Sequence, residues 1–150
     1  MRVTIQRVAK ASVKINEFTI AEIQEGILVF LGIENRDSIE DIKWLTNKIS
    51  KLRIFPDNKV TMNKSVLDIN GEIIVVSQFT LFASTRKGNR PSFKLSSEPK
   101  FAEKMYNKFV AELGKLTKKE IKTGKFGANM KISLVNYGPV TINIDSKRKE

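Results

Sequence analysis

The amino-acid sequence predicts an α/β fold, a mixed β-sheet with two main helices packed outside it, in one domain spanning residues 1–150. Three observations carry this expectation. Two long apolar runs, 26–33 and 71–83, each start at a glycine and read as strands buried on both faces. Each run is followed by a stretch whose apolar residues recur three and four apart, the period of an amphipathic helix. Alternating segments bracket both units, and no Gly-rich turn follows a strand, so a doubly wound nucleotide fold is excluded.

In chain order, residues 2–8 and 12–15 alternate as short strands, and "EFTIAEIQ" continues the meander. "GILVFLGI" (26–33) is the first buried strand. In "RDSIEDIKWLTNKISKL", Ile39, Ile42, Leu45, Ile49 and Leu52 form one helical face, with Asp37 or Ser38 as cap and Trp44 on the flank. "RIFPDNK" (53–59) reads as a short strand ending in a turn. "GEIIVVSQFTLFA" (71–83) is the second buried strand, and its alternation sets Ser77 and Phe79 on one face and Gln78 and Thr80 on the other.

A basic loop follows at 84–97. Ser97 is expected to cap the second helix, with Pro99 in its first turn, a core stripe of Phe101, Met105, Phe109 and Leu113, and Gly114 as its end. The remainder, 118–146, returns to strands, broken by "TGKFGAN" and by "NYGP" (136–139).

The absence of both His and Cys narrows the chemistry most. It excludes a Ser-His-Asp triad, a Cys-His pair and any His-ligated metal. No Asp/Glu cluster has ligand spacing, so neither metal nor cofactor is expected. No apolar run approaches the roughly 18 residues of a membrane span, and the alternating N-terminus reads as a first strand rather than a signal peptide. A chain without Cys fits a reducing compartment, so the expected location is cytoplasmic. The formal net charge of +11 favours anionic partners, nucleic acid first.

Four places can carry function. Ser77, Gln78 and Thr80 are polar groups at the end of a buried strand; they either bond the neighbouring loop or line a pocket where backbone N–H groups can hold an oxyanion. Arg86, Lys87, Arg90 and Lys94, with Phe93 among them, suit a phosphate backbone and a stacked base, or form a solvated loop. Lys125 and Phe126 lie between glycines that let a ligand come close to the backbone. Gly138-Pro139 interrupts a strand, either as a simple turn or as a rigid corner able to sense ligand stereochemistry by contact.

"SQFTLFA" (77–83) with "NYGPVT" (136–141) resembles the paired signature of the D-aminoacyl-tRNA deacylases. "MRVTIQRV", "GILVFLGI", "KLRIFPD", "KGNRPSF" and "GKFGANM" stand in that family's order, so the likeness spans residues 1–146 and is with the bacterial-type members. The resemblance implies a barrel-like core, a homodimer and hydrolysis of the ester joining a D-amino acid, or glycine mischarged on tRNA-Ala, to the 3′-terminal adenosine of tRNA. By the same resemblance Ser77, Gln78, Phe79 and Thr80 line the pocket, and Gly138-Pro139, cis, enters the partner's active site and excludes L-amino acids. Arg7 supports that corner, and Phe126 and Met130 border the adenosine. The family often has Asp where this chain has Tyr137, and no role is carried onto that residue.

Without His or Cys, an ester hydrolase fits substrate-assisted chemistry, in which the ribose 2′-OH orients or activates water. Two other readings stand beside it: a non-enzymatic tRNA- or RNA-binding module, and a hydrolase of another small ester using the Thr80 hydroxyl.

Overall fold

A computed structural model describes residues 1–149. The chain runs β1 (Arg2–Ile15), β2 (Phe18–Ile23), β3 (Gly26–Gly32), α1 (Ile39–Ser50), β4 (Glu72–Ser77), a 3-10 turn (Phe79–Phe82), α2 (Pro99–Thr117), β5 (Lys122–Thr123) and β6 (Lys131–Asp145).

One mixed sheet holds all six strands, in the order β2-β1-β3-β4-β5, with β6 on the other edge of β1. β1 is a single 14-residue strand where the alternation predicts two short ones. The pairs Val8↔Gly26 and Ala11↔Ile23 keep one register, so β2 and β3 act as two halves of one antiparallel partner of β1. β3 and β4 pair in parallel, and α1 lies in the crossover between them. β2 also packs near β4 and β5, so the sheet curls nearly closed into a barrel.

The curl creates two apolar clusters. Val8, Ala11, Val13, Ile23, Leu28, Ile74 and Val76 meet between the strands. On the other face Val3, Ile5, Val29 and Val75 meet Ile42, Leu45 and Ile49 of α1 and Met105, Phe109 and Leu113 of α2. Each fully buried side chain of this size contributes about 1.5–3 kcal/mol. The predicted helical stripes are therefore largely core: Phe101, Trp44 and Leu52, the last beyond the end of α1, are half-buried at its margin, and Ile39 at the start of α1 is exposed instead.

Several boundaries differ from expectation for identifiable reasons. Residues 53–59 form no strand; only Phe55 bridges Lys64, because Pro56 lacks an N–H and the chain turns directly after it, where the Asp57 N–H donates to the Val60 carbonyl. α2 is capped at Glu98 rather than Ser97 and carries Pro99 as its first residue. It continues past Gly114 to Thr117, since Leu113 and Thr117 remain buried, and stops where Lys118 turns left-handed at φ 54°. Ser38 caps α1, and the Asp41 carboxylate accepts both its N–H (2.8 Å) and its hydroxyl (3.0 Å).

Candidate active site

The second apolar run does not stay extended to residue 83. β4 ends at Ser77, and "FTLF" coils into the 3-10 turn, so the strand alternation predicted for residues 77–80 does not hold. The turn packs on the end of β3: a Cβ added to Gly32 would lie 3.0 Å from the Leu81 Cβ and 3.1 Å from the Gln78 carbonyl. The Gln78 N–H donates to the Leu31 carbonyl at 2.8 Å, and the Ser96 hydroxyl donates to the Phe79 carbonyl at 2.9 Å. Among the described residues the N–H groups of Phe79 and Thr80, at the start of the turn, have no hydrogen-bond acceptor.

Beside this turn lies a cavity of about 500 Å³. Ser77, Gln78 and Phe79 form one wall; Ser96, Ser97, Pro99 and Ala102 at the start of α2 form another; Phe126 to Met130 form the third. Phe126 is braced by Tyr106, ring centroids 5.9 Å apart, and the Tyr106 hydroxyl donates to the Val75 carbonyl at 2.8 Å. Burial holds that phenol well above its ordinary pKa, so it stays a neutral donor. Phe79 is 56% exposed and meets Phe93 edge-on at 5.0 Å. An apolar box with a polar strand end and free N–H groups suits a small planar group bearing an ester carbonyl.

The second feature is in β6. Gln6 pairs with Thr141 but Val8 pairs with Asn136, so residues between them bulge out of an otherwise continuous strand. The interruption is thus neither a hairpin turn nor a strand end. Gly138-Pro139 is cis, Gly138 has φ +125°, and Tyr137, Gly138 and Pro139 are all exposed. Beneath them Arg7 is 6% exposed. Its Nε donates to the Tyr137 carbonyl at 2.8 Å, Nη1 donates to the Ile54 carbonyl, and its guanidinium carbon lies 4.9 Å from the centre of the Tyr137 ring. No carboxylate pairs with Arg7 among the described residues. Carbonyl dipoles and the aromatic face hold this buried charge, so it serves the corner's geometry.

A family model described as D-Tyr-tRNA(Tyr) deacylase matches residues 4–145. The chain belongs to this family. It is 57% identical over 150 residues to the D-aminoacyl-tRNA deacylase of Flavobacterium psychrophilum, and 53% identical over 150 residues to that of Bacteroides fragilis (strain YCH46), covering 100% of both chains each time. The solved c-Myc DNA unwinding element binding protein superposes with TM-score 0.90 at 41% identity, covering 97% of this chain and 98% of its own. A probable eukaryotic D-amino acid tRNA deacylase matches at TM-score 0.82 over 95% and 98% of the chains, and at 16% identity it shows the fold alone. By family the chain is an enzyme, a hydrolase acting on an ester bond.

Ser77, Gln78, Phe79, Phe126 and Met130 come together at the cavity; Thr80, Arg7, Gly138 and Pro139 do not line it. Thr80 is exposed, and its Oγ1 accepts from Gln78 Nε2 at 2.5 Å. Arg86, Lys87 and Arg90 sit on the exposed tip of a loop pinched by the Ser84↔Ser92 bridge, outside the cavity and without carboxylate partners among the described residues. Sequence reasoning missed Ser96, Asn129 and above all Asn136, which accepts the N–H of Val140, the residue that follows the corner. Asn136 stands two residues before Gly138, a turn-favouring residue type that marks the region but not its bonding partners.

Proposed function

We propose that this chain deacylates D-aminoacyl-tRNA, and glycyl-tRNA mischarged on tRNA-Ala, as a cytoplasmic homodimer in one deacylase domain. The observation that carries the reading is an exposed Gly138-cis-Pro139 corner, held from beneath by a buried Arg7, that does not line its own subunit's cavity. A rigid selectivity element displayed outward fits a partner subunit's pocket. There its carbonyls and glycine Cα leave room for a hydrogen or a D side chain and obstruct an L side chain.

In this reading the terminal adenosine lies between Phe126 and Met130, and the ester carbonyl lies at the turn beside Ser77–Phe79. Water attacks the carbonyl carbon, the negative charge on oxygen falls on the free N–H of Phe79, the last residue of that wall, and the ribose oxygen leaves with a proton. The neighbouring 2′-OH orients the water, because no side chain at the cavity is a general base. Thr80 is poorly placed as a nucleophile: it does not line the cavity, and its partner Gln78 is a donor, not a base.

Matched D- and L-tyrosyl-tRNA provide the test. Release of D-tyrosine well above the spontaneous rate, with L-tyrosine at that rate, is expected. Equal background release from both would leave an RNA-binding module as the better reading.

A further inference from the structure

We infer that Asn136 is a positioning residue for the Gly138-Pro139 corner, clamping the base of the β6 bulge so that the corner keeps one aim. The inference rests on the deacylase reading above. Residues 137–139 leave the ladder with no strand partner, and a bulge of this kind needs something to close its neck.

Asn136 closes it from one side chain. Its Oδ1 accepts the N–H of Val140 at 3.0 Å, which ties together the residues entering and leaving the excursion. Its Nδ2 donates to Thr141 Oγ1 at 3.0 Å and to Gln6 Oε1 at 2.6 Å, anchoring the neck to β1. Val140 is buried while Gly138 and Pro139 are exposed, so this one amide sits at the boundary between fixed and displayed backbone. Arg7 takes the Tyr137 carbonyl on the other limb. The corner therefore hangs from two independent ties, one charged and one neutral.

The two halves of the amide are not equivalent. The Val140 N–H needs an acceptor, whereas Thr141 and Gln6 can reorient to serve as donors. Asn136→Asp keeps the acceptor; Asn136→Leu, similar in shape, removes it. Deacylation of D- and L-tyrosyl-tRNA is measured for both variants, together with hydrogen exchange at the Val140 amide. N136L is expected to lose Val140 protection and to lower the D:L rate ratio about tenfold or more, with L-release rising above background. N136D is expected to restore most of the ratio. Asn136→Ser, too short to reach Val140, carries the same expectation as N136L should that variant fail to fold.

A folded N136L with the wild-type D:L ratio overturns the assignment, and so does an N136D as unselective as N136L. Failure of the deacylase reading looks different: wild type itself would not distinguish the two tRNAs.

Discussion

Gly138 shows how one atom decides what the corner can be. A Cβ built there would fall on Arg7 Nη2, closer than real side chains come, and 3.0 Å from Val140 Cγ2; φ +125° is itself strained for any L-residue. An added methyl therefore strikes the same chain's guanidinium before it can reach any substrate. Arg7 is pinned by carbonyls and cannot easily yield, so the corner is lifted outward. Gly138→Ala is expected to lower turnover of D-tyrosyl-tRNA about tenfold or more, the rate equivalent of the roughly 1–3 kcal/mol at stake. Unchanged D-specific turnover would contradict the role of Gly138. Thr80→Val, by contrast, removes only a hydroxyl that accepts from Gln78. Its single-turnover rate is expected to stay within about tenfold of wild type, since one neutral exposed hydrogen bond is worth about 0.5–1.5 kcal/mol at most; complete loss in a folded variant would reinstate Thr80 as nucleophile. Gly-Pro and the chain's lack of His and Cys were legible because identity alone carries that information. Asn136 was not, because its role depends on a strand register that brings Gln6 opposite Thr141.

Among the elements, α1 and the segment after β6 depend on one carboxylate. Asp41 accepts from Ser38 at the helix start, from the Ser146 hydroxyl at 2.7 Å and from Lys147 Nζ at 2.7 Å. Burial alone would raise its pKa, but the hydrogen bonds from Lys147, Ser146 and Ser38 together outweigh it and hold the carboxyl well below its ordinary 3.8. A depressed carboxyl binds fewer protons folded than unfolded, so its stabilisation is fully present above pH 3.8 and is lost as pH falls through the folded-state value. Neighbouring Asp37, raised chiefly by burial, works in the opposite sense and does not supply this stabilisation. Asp41→Asn is expected to lower stability at pH 7 by about 1–3 kcal/mol, and the gap in Tm from wild type should close progressively below about pH 4. A gap independent of pH would mean that the charge is not what matters. This helix was read correctly because its apolar spacing and cap are local. The end of β4 was misread because Phe79, Leu81 and Phe82 suit a buried strand as well as a 3-10 turn. What decides between them is the missing side chain of Gly32, forty-five residues earlier than Ser77.

At the scale of the whole molecule, the barrel's closure was beyond what periodicity reveals, because it arises from β1 holding β2 and β3 on one edge and β6 on the other. The charge was legible throughout, and its placement now gives it a direction. The loop carrying Arg86, Lys87 and Arg90 is rooted beside the cavity, where Phe93 packs on Phe79 and Ser96 bonds the Phe79 carbonyl. Its tip is exposed and unpaired among the described residues. A 3′-end seated in the cavity would bring the phosphates just upstream within reach of that tip. Binding of tRNA should then weaken steeply with salt, and changing all three residues to Gln should make the slope of log K against log salt shallower by about two to three, one for each phosphate no longer neutralised. The D:L ratio should be unaffected, because the three residues lie outside the cavity in which the two hands are distinguished. Filter binding of tRNA across a salt series, with the deacylation ratio measured on the same preparations, separates the two effects. A slope equal to that of wild type would take the loop out of the RNA contact and leave the net charge of +11 acting through other faces of the protein.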